Sequence, residues 1–280
     1  AVRLPALIVA AGAQAERRFL EFFAAQIRNP GTRAVYARAV ARFCRWCEQR
    51  ALSLPQVTPL LVAAYIEQLT HERAAPTVKL HLAAIRMLFD YLVTGQVLPF
   101  NPAAPVRGPK HVVTKGKTPV LTAEEARQLL DSIDSSTIVG LRDRALIGVL
   151  VYSFARVSAA IGMNVEDYCP QGRRMWFRLH EKGGKFHEVP AHHNAEAYLD
   201  AYVEGAGIRE EPKSPLFRTV SRERTLTPRR MHLADVLRMI KRRARSAGLP
   251  TRIGCHTFRA TGITAYLQCG GLLEHAQRIA

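Results

Sequence analysis

A mainly α protein with a small antiparallel β-sheet, an α+β chain in two domains, is expected from three observations. Apolar residues recur at helical spacing through most of the chain, on both sides of a proline-rich stretch. That stretch, 99–119, holds five of the sixteen prolines, so no helix can run through it. Strand-like alternation is confined to two short runs, 174–179 and 186–189, joined across Gly183-Gly184. The chain has 280 residues, enough for two domains with cores of their own.

The first domain reads as four helices. Residues 16–27 place Phe19, Leu20, Phe22, Phe23 and Ile27 on one helical face, and Asn29-Pro30-Gly31 ends the run. Thr32 is expected to cap a second helix with Val35, Tyr36, Ala39, Val40, Phe43, Trp46 and Cys47 inward and Arg33, Arg38, Arg42 and Arg45 outward. Thr58-Pro59 opens a third helix reaching Leu69. Thr77 opens a fourth around Leu80, Leu82, Ile85, Leu88, Phe89 and Leu92, with Lys79 and Arg86 off the apolar stripe. Residues 4–13 imitate the apolar part of a signal peptide, but a helical pattern follows at once, and export is not expected. Cys44-Arg-Trp-Cys47 has C-x-x-C spacing without a second pair, so these two are expected as packing residues rather than zinc ligands.

The proline-rich stretch also carries Arg107, Lys110, Lys115 and Lys117 and reads as an extended, basic linker. Beyond it, Thr122 and Glu125 form a capping box. Residues 140–154 form a strongly apolar helix that ends in Ser153-Phe154-Ala155-Arg156-Val157-Ser158. An arginine directly after so apolar a run needs a partner, either a carboxylate such as Glu166 or Asp167, or a ligand anion. The two alternating runs make a hairpin with Lys182 and Lys185 at its tip; His192-His193 beyond it reads as loop. Thr227-Pro228 is expected to start a helix with Leu233, Val236, Leu237 and Ile240 inward and Arg238, Lys241, Arg242 and Arg245 on the opposite side.

Charge narrows the function. There are 40 Lys and Arg against 23 Asp and Glu, a net charge of +17, and a folded protein this basic usually meets nucleic acid. Residues 218–245 alone hold ten Lys and Arg against two acids, where a merely solvated face would mix signs. No apolar run approaches the ~20 residues that span a bilayer. Five cysteines without a paired framework point to a reducing compartment, so a cytoplasmic protein is expected.

The chemistry concentrates near the end, at Cys255-His256-Thr257-Phe258-Arg259. His256 and Arg259 lie three apart and share a helical face, a fixed cation beside a titratable ring. With Arg156 and a hairpin lysine they make a set suited to metal-free phosphoryl transfer. Guanidinium forks hold equatorial phosphate oxygens, His adds a hydrogen bond, and Lys protonates the departing sugar oxygen. There is no D-x-D, H-E-x-x-H or Walker lysine motif, so no cofactor or metal is expected.

In these motifs the chain resembles the tyrosine recombinases, also called phage-integrase-like or Xer-like site-specific recombinases. Leu141-Arg-Asp-Arg-Ala-Leu through Ala155-Arg156-Val157-Ser158 is similar to the family's first arginine motif, Lys182-Gly-Gly-Lys185 with Val189-Pro190 to its hairpin lysine motif, and His256-Thr-Phe-Arg259 to its H-x-x-R box. The resemblance implies a helical, SAM-like core-binding domain at 1–105, a basic linker at 106–119 and a catalytic domain at 120–280, together a C-shaped clamp on double-stranded DNA. It implies that Arg156 and Arg259 clamp the scissile phosphate, His256 assists, and Lys182 is the general acid, with Lys185 the lesser candidate. Strand cleavage in the family passes through a 3′-phosphotyrosyl intermediate, and the intact enzyme works as a tetramer on DNA. Arg33, Lys79, Arg86, Arg229, Arg230 and Lys241 are the candidate DNA contacts.

Two departures from the family pattern stand out. Ala159 occupies the place where a Glu often follows the first Arg, and the segment that would carry the nucleophilic Tyr does not appear before Ala280. Tyr266 reads as core packing. The 280 residues are therefore expected to be a C-terminally truncated recombinase that binds DNA without cutting it. The alternatives are a type IB topoisomerase-like enzyme or a non-catalytic protein occupying recombination sites.

Overall fold

The computed structural model describes residues 4–113, 116, 118–181, 184–249 and 252–279. The chain divides into two compact units, 1–115 and 116–280, and the division falls inside the expected linker.

The first unit contains helices α1 (Ala6–Val9), α2 (Ala13–Glu21), α3 (Pro30–Glu48), α4 (Pro59–Glu72) and α5 (Ala75–Thr94). The signal-like stretch is a core element: Leu7 and Ile8 of α1 are buried, and the Leu7 N–H donates to Glu48 Oε1 at 3.0 Å. The helix expected over 16–27 starts earlier and closes in a π-helical turn at Phe22–Gln26. α3 begins ahead of Thr32. Asn29 is the cap, its Oδ1 accepting from the Thr32 N–H at 3.0 Å, and Pro30 sits in the first turn, where its missing N–H costs nothing. α5 likewise starts ahead of Thr77, with Pro76 in its first turn. Both prolines open helices rather than break them. Thr58 caps α4 as expected, accepting from the Leu61 N–H.

An aromatic cluster centres this unit: the Phe43 ring meets Tyr65 edge-on at 5.1 Å and Phe89 at 6.0 Å. Cys44 and Cys47 are buried in it, and burial pushes the Cys47 thiol up to about 12, which makes both packing residues. The start of the proline-rich stretch belongs to this core as well. Leu98, Ala103 and Val106 are buried, and Arg86 of α5 donates to the Ala103 carbonyl at 3.0 Å and to the Val106 carbonyl. Residues 107–113 carry no regular structure.

The second unit contains α6 (Ala123–Asp131), α7 (Ile138–Tyr152), α8 (Val157–Gly162), a three-stranded antiparallel sheet of β1 (Tyr168–Gln171), β2 (Arg174–His180) and β3 (Phe186–Pro190), then α9 (His193–Ala206), a ribbon of β4 (Arg218–Val220) and β5 (Leu226–Arg230), α10 (Leu233–Ser246), α11 (Cys255–Gln268) and α12 (Leu273–Ile279). The Thr122–Glu125 capping box opens α6. The hairpin gains a third strand, β1, paired to β2 from Tyr168–Phe177 to Gln171–Arg174.

Two local expectations fail. Thr227 and Pro228 lie in β5, held by a 2.6 Å contact between the Thr219 and Thr227 hydroxyls, and a proline is tolerated on an edge strand. The helix starts instead at Leu233, with the His232 N–H donating to Asp235 Oδ2 at 3.2 Å. His192 and His193 are not loop: His192 caps α9, accepting from the Asn194 N–H at 3.2 Å, and its ring stacks on Tyr152 at 4.2 Å.

α7 is the axis of this unit, with Ala145–Leu150 wholly buried. Its one acid, Asp143, is 0% exposed and therefore needs compensation. Arg142 binds its Oδ1 at 3.1 and 2.6 Å; Arg243 forks onto Oδ2 at 2.9 and 2.8 Å; Arg242 adds a bond at 3.1 Å. These bonds tie α10 to α7. The basic face expected on α10 is exposed throughout, with Arg238 pairing with Asp235, Arg242 reaching Asp143, and Lys241 and Arg245 open to solvent. At the other end of α7, α11 packs so closely that a Cβ on Gly262 would run into the Val151 carbonyl and the Phe154 ring.

Two outcomes are expected in urea denaturation. Gly262→Ala should lose roughly 1–3 kcal/mol through overpacking. Asp143→Ala should lose about 3–5 kcal/mol, because its arginines are left facing a buried void.

Candidate active site

Two motifs from opposite ends of the second unit meet where α7 stops. Ser153 closes the helix, its Oγ donating to the Val149 carbonyl at 2.6 Å. Phe154 then takes φ of 53°, a left-handed conformation that costs a non-glycine residue about 1 kcal/mol or more. The reversal sends Arg156 out as the residue that precedes α8. It also turns the Phe154 carbonyl toward α11, where Arg259 NH1 donates to it at 2.6 Å. The Gly262 contact makes that reach possible by bringing α11 against α7.

The third component comes from the sheet. Along β2, Phe177 and Leu179 face the core, and by strict alternation so does Glu181. Its main-chain N–H continues the ladder to the Lys185 carbonyl at 2.7 Å. Its carboxylate lies on the core side with only 2% of the side chain exposed. Arg156 NH1 forms an ion pair with Oε2, Arg259 NH1 lies 3.8 Å from Oε1, and the Arg156 main-chain N–H reaches Oε1 at 3.5 Å. Both guanidiniums therefore converge on one buried carboxylate. Burial holds the Arg259 guanidinium below its ordinary value, and the nearby Arg156 charge adds to this.

The carboxylates expected as partners for Arg156 are replaced by Glu181. Asp167 caps its own turn, accepting from the Asn164 N–H at 2.7 Å. Ala159 is buried in the apolar core of the unit. His256 lies one turn before Arg259 on α11 and is exposed. Lys182 lies outside the described residues, while Lys185 is exposed at the hairpin. Tyr266 packs edge-on against Phe154 at 5.9 Å.

His187 is a site neighbour that motif reading did not single out. It stands opposite Leu179 in the β2–β3 ladder, on the same inward face as Val189. Burial holds its imidazole below the ordinary value, and the Arg259 and Arg156 charges push the same way, against a hydrogen bond with the Ile279 main chain. Strand alternation was the available signal for both residues: Glu181 and His187 are the inward positions flanking the hairpin tip.

The six candidate DNA contacts separate by what their heads touch. Arg33 Nε donates to the Ile27 carbonyl at 3.0 Å, and Arg86 is spent on Ala103 and Val106. Arg230 bonds the Ile161 and Met163 carbonyls at 2.6 and 2.8 Å and Asn164 Oδ1 at 2.5 Å. Lys79, Arg229 and Lys241 are exposed. Among the described residues no group of His, Cys, Asp and Glu is arranged to hold a metal ion, and no helix is long and apolar enough to cross a membrane.

Residues 119–280 match the phage integrase family, and residues 17–96 match the phage integrase N-terminal SAM-like domain. The chain belongs to the phage integrase family. Family relatives include the tyrosine recombinase XerC of Myxococcus xanthus, 29% identical over 257 residues, which cover 90% of this chain and 83% of the relative. XerD of Chlorobaculum tepidum is 26% identical over 258 residues, 89% of this chain and 81% of its own. The fold matches a lambda integrase tetramer bound to a Holliday junction at a TM-score of 0.72 and 18% identity, covering 99% of this chain and 81% of that one. XerH bound to its difH substrate matches at 0.66 and 21%, covering 88% and 71%.

Three partly desolvated imidazoles have a consequence for this family member's stability. His81, His187 and His192 are all held below the ordinary value, with burial the largest cause. In the folded chain they take up protons at a lower pH than in the unfolded chain, where protonation falls near pH ~6.5. Their contribution is thus present above that pH and is lost as pH falls below it. The urea midpoint should drop between about pH 7.5 and 5.5, and His187→Gln should narrow the drop.

Proposed function

We propose that the chain is a site-specific DNA recombinase of the tyrosine recombinase type, in which Arg156 and Arg259 clamp the scissile phosphate. The observation that carries this reading is the convergence of the two guanidiniums, from motifs far apart in sequence, on the Glu181 carboxylate. Phosphoryl transfer spreads negative charge over the equatorial oxygens, and paired guanidiniums supply fixed donors for them without a metal. His256, one turn from Arg259, is the hydrogen-bond or acid/base assistant. Lys182, at the hairpin, is the general acid for the departing 5′-hydroxyl.

In this reading the helical unit is a core-binding domain and the second unit the catalytic domain, both working on double-stranded DNA. Lambda integrase has been solved as a DNA-bound dimer and as a tetramer on a Holliday junction, and homo-oligomers on DNA are proposed for this chain as well. The exposed Lys79, Arg229 and Lys241 are the better candidates for phosphate contact. The heads of Arg33, Arg86 and Arg230 already serve main-chain carbonyls. The 280 residues alone are proposed to bind DNA without cutting it, since none of their tyrosines stands where the family's order of motifs places the nucleophile.

Binding to a mixed-sequence duplex should weaken roughly a thousandfold or more between about 50 and 200 mM salt if six or more phosphates are neutralised. A flat salt response would remove the electrostatic footing. Arg156→Ala and Arg259→Ala should leave this bulk affinity nearly unchanged. In a version that cuts, either change should abolish cleavage. Offered a nicked suicide duplex, the 280-residue chain should form complexes that detergent disperses; a covalent adduct would overturn the binding-only reading.

A further inference from the structure

We infer that Glu181 is a positioning residue: its buried carboxylate holds the Arg156 and Arg259 guanidiniums side by side so that both grip one phosphate. The inference rests on the phosphate-clamp reading and adds a residue that acts through the two arginines rather than on DNA.

Three observations carry it. First, the carboxylate is fixed by its backbone. Glu181 sits at the inward register of β2, and its N–H bond to the Lys185 carbonyl at 2.7 Å locks the strand there. Second, two like charges brought together repel each other, and a carboxylate between them removes that obstacle. Glu181 is the acid that reaches both, through Oε2 to Arg156 and Oε1 to Arg259. Third, the exposures grade from inside to outside. The Glu181 side chain is 2% exposed, Arg259 15% and Arg156 43%, so the acid lies beneath the guanidiniums and not on their solvent side.

That grading separates positioning from mimicry. A carboxylate occupying the phosphate's own place would have to be as open to solvent as a DNA strand requires. A guanidinium has five N–H donors in a planar fork, so one head can bind a carboxylate and a phosphate together. Of the neighbouring elements, α8 presents Ala159 one turn from Arg156, and β3 presents His187, an imidazole.

The test uses the 280-residue chain and inorganic phosphate as the probe, read by the ¹⁵N signals of the arginine Nη–H groups, the atoms that face Glu181. Arg156→Lys and Arg259→Lys assign the two signals. In the wild type, both should exchange slowly with water and shift together with a single phosphate affinity. In Glu181→Gln, which keeps size but not charge, exchange should quicken about tenfold, as expected for a lost buried ion pair. The two signals should then respond to phosphate separately. Glu181→Asp should restore the joint response, which a loss of packing alone would not do.

A folded Glu181→Gln chain whose signals still move together overturns the inference. So does tighter phosphate binding with undisturbed signals, which would mean that the carboxylate had been standing in the phosphate's place. If Glu181→Gln does not fold, Glu181→Asp decides: exchange rates between those of wild type and free arginine support the role, and unchanged rates overturn it. Wild-type signals that ignore phosphate altogether overturn the clamp reading itself, a result distinguishable from any of these.

Discussion

A carboxylate withdrawn from water must be answered by cations, and that requirement organises the second unit at both ends of α7. At one end Asp143 gathers Arg142, Arg242 and Arg243 and thereby fastens α10. At the other, Glu181 gathers Arg156 and Arg259 and thereby joins β2, the start of α8 and α11. The helix between is apolar on every side and contributes no polar group of its own over Ala145–Leu150. The fold thus places its charge at the rims of an apolar axis, where compensation from several elements is geometrically available.

The candidate site is built from constraints that would be liabilities elsewhere. Phe154 adopts a backbone conformation unfavourable for a side-chain-bearing residue, yet the reversal exposes the carbonyl that Arg259 needs. Gly262 forgoes helix propensity inside α11, yet its bareness lets α11 approach α7. A hairpin strand carries an acid on its core face, yet that acid gives two arginines a common anchor. Each local cost is offset by one contact between elements, and all of these contacts converge on the same few ångströms.

Much of this was legible in the amino-acid order. Apolar spacing located the helices, Gly183-Gly184 located the hairpin, and the H-x-x-R and Ala155-Arg156-Val157-Ser158 motifs located the paired arginines. What escaped follows from physics that acts between elements. Glu181 went unmarked because its partners lie on α11 and at the start of α8. Pro228 looked like a helix start because prolines favour that position, but ribbon pairing with β4 overrode the preference. β1 has no alternation strong enough to announce itself, and its pairing is dictated by β2. Capping was read correctly at Thr58 and Thr122, where the signal is local, and misread at Thr32, where Pro30 entered the helix.

The high arginine content also conceals a division of labour. Arg86 bridges two carbonyls of the segment after α5, and Arg230 reaches two carbonyls and an amide beside α8. An ammonium group, with its donors on one atom, cannot span such acceptors as a planar fork does. Wholesale arginine-to-lysine recoding, neutral in net charge, would therefore sort the chain's cations into two populations. Outward-facing ones would tolerate the exchange, whereas those mortaring the scaffold would betray themselves through misfolding.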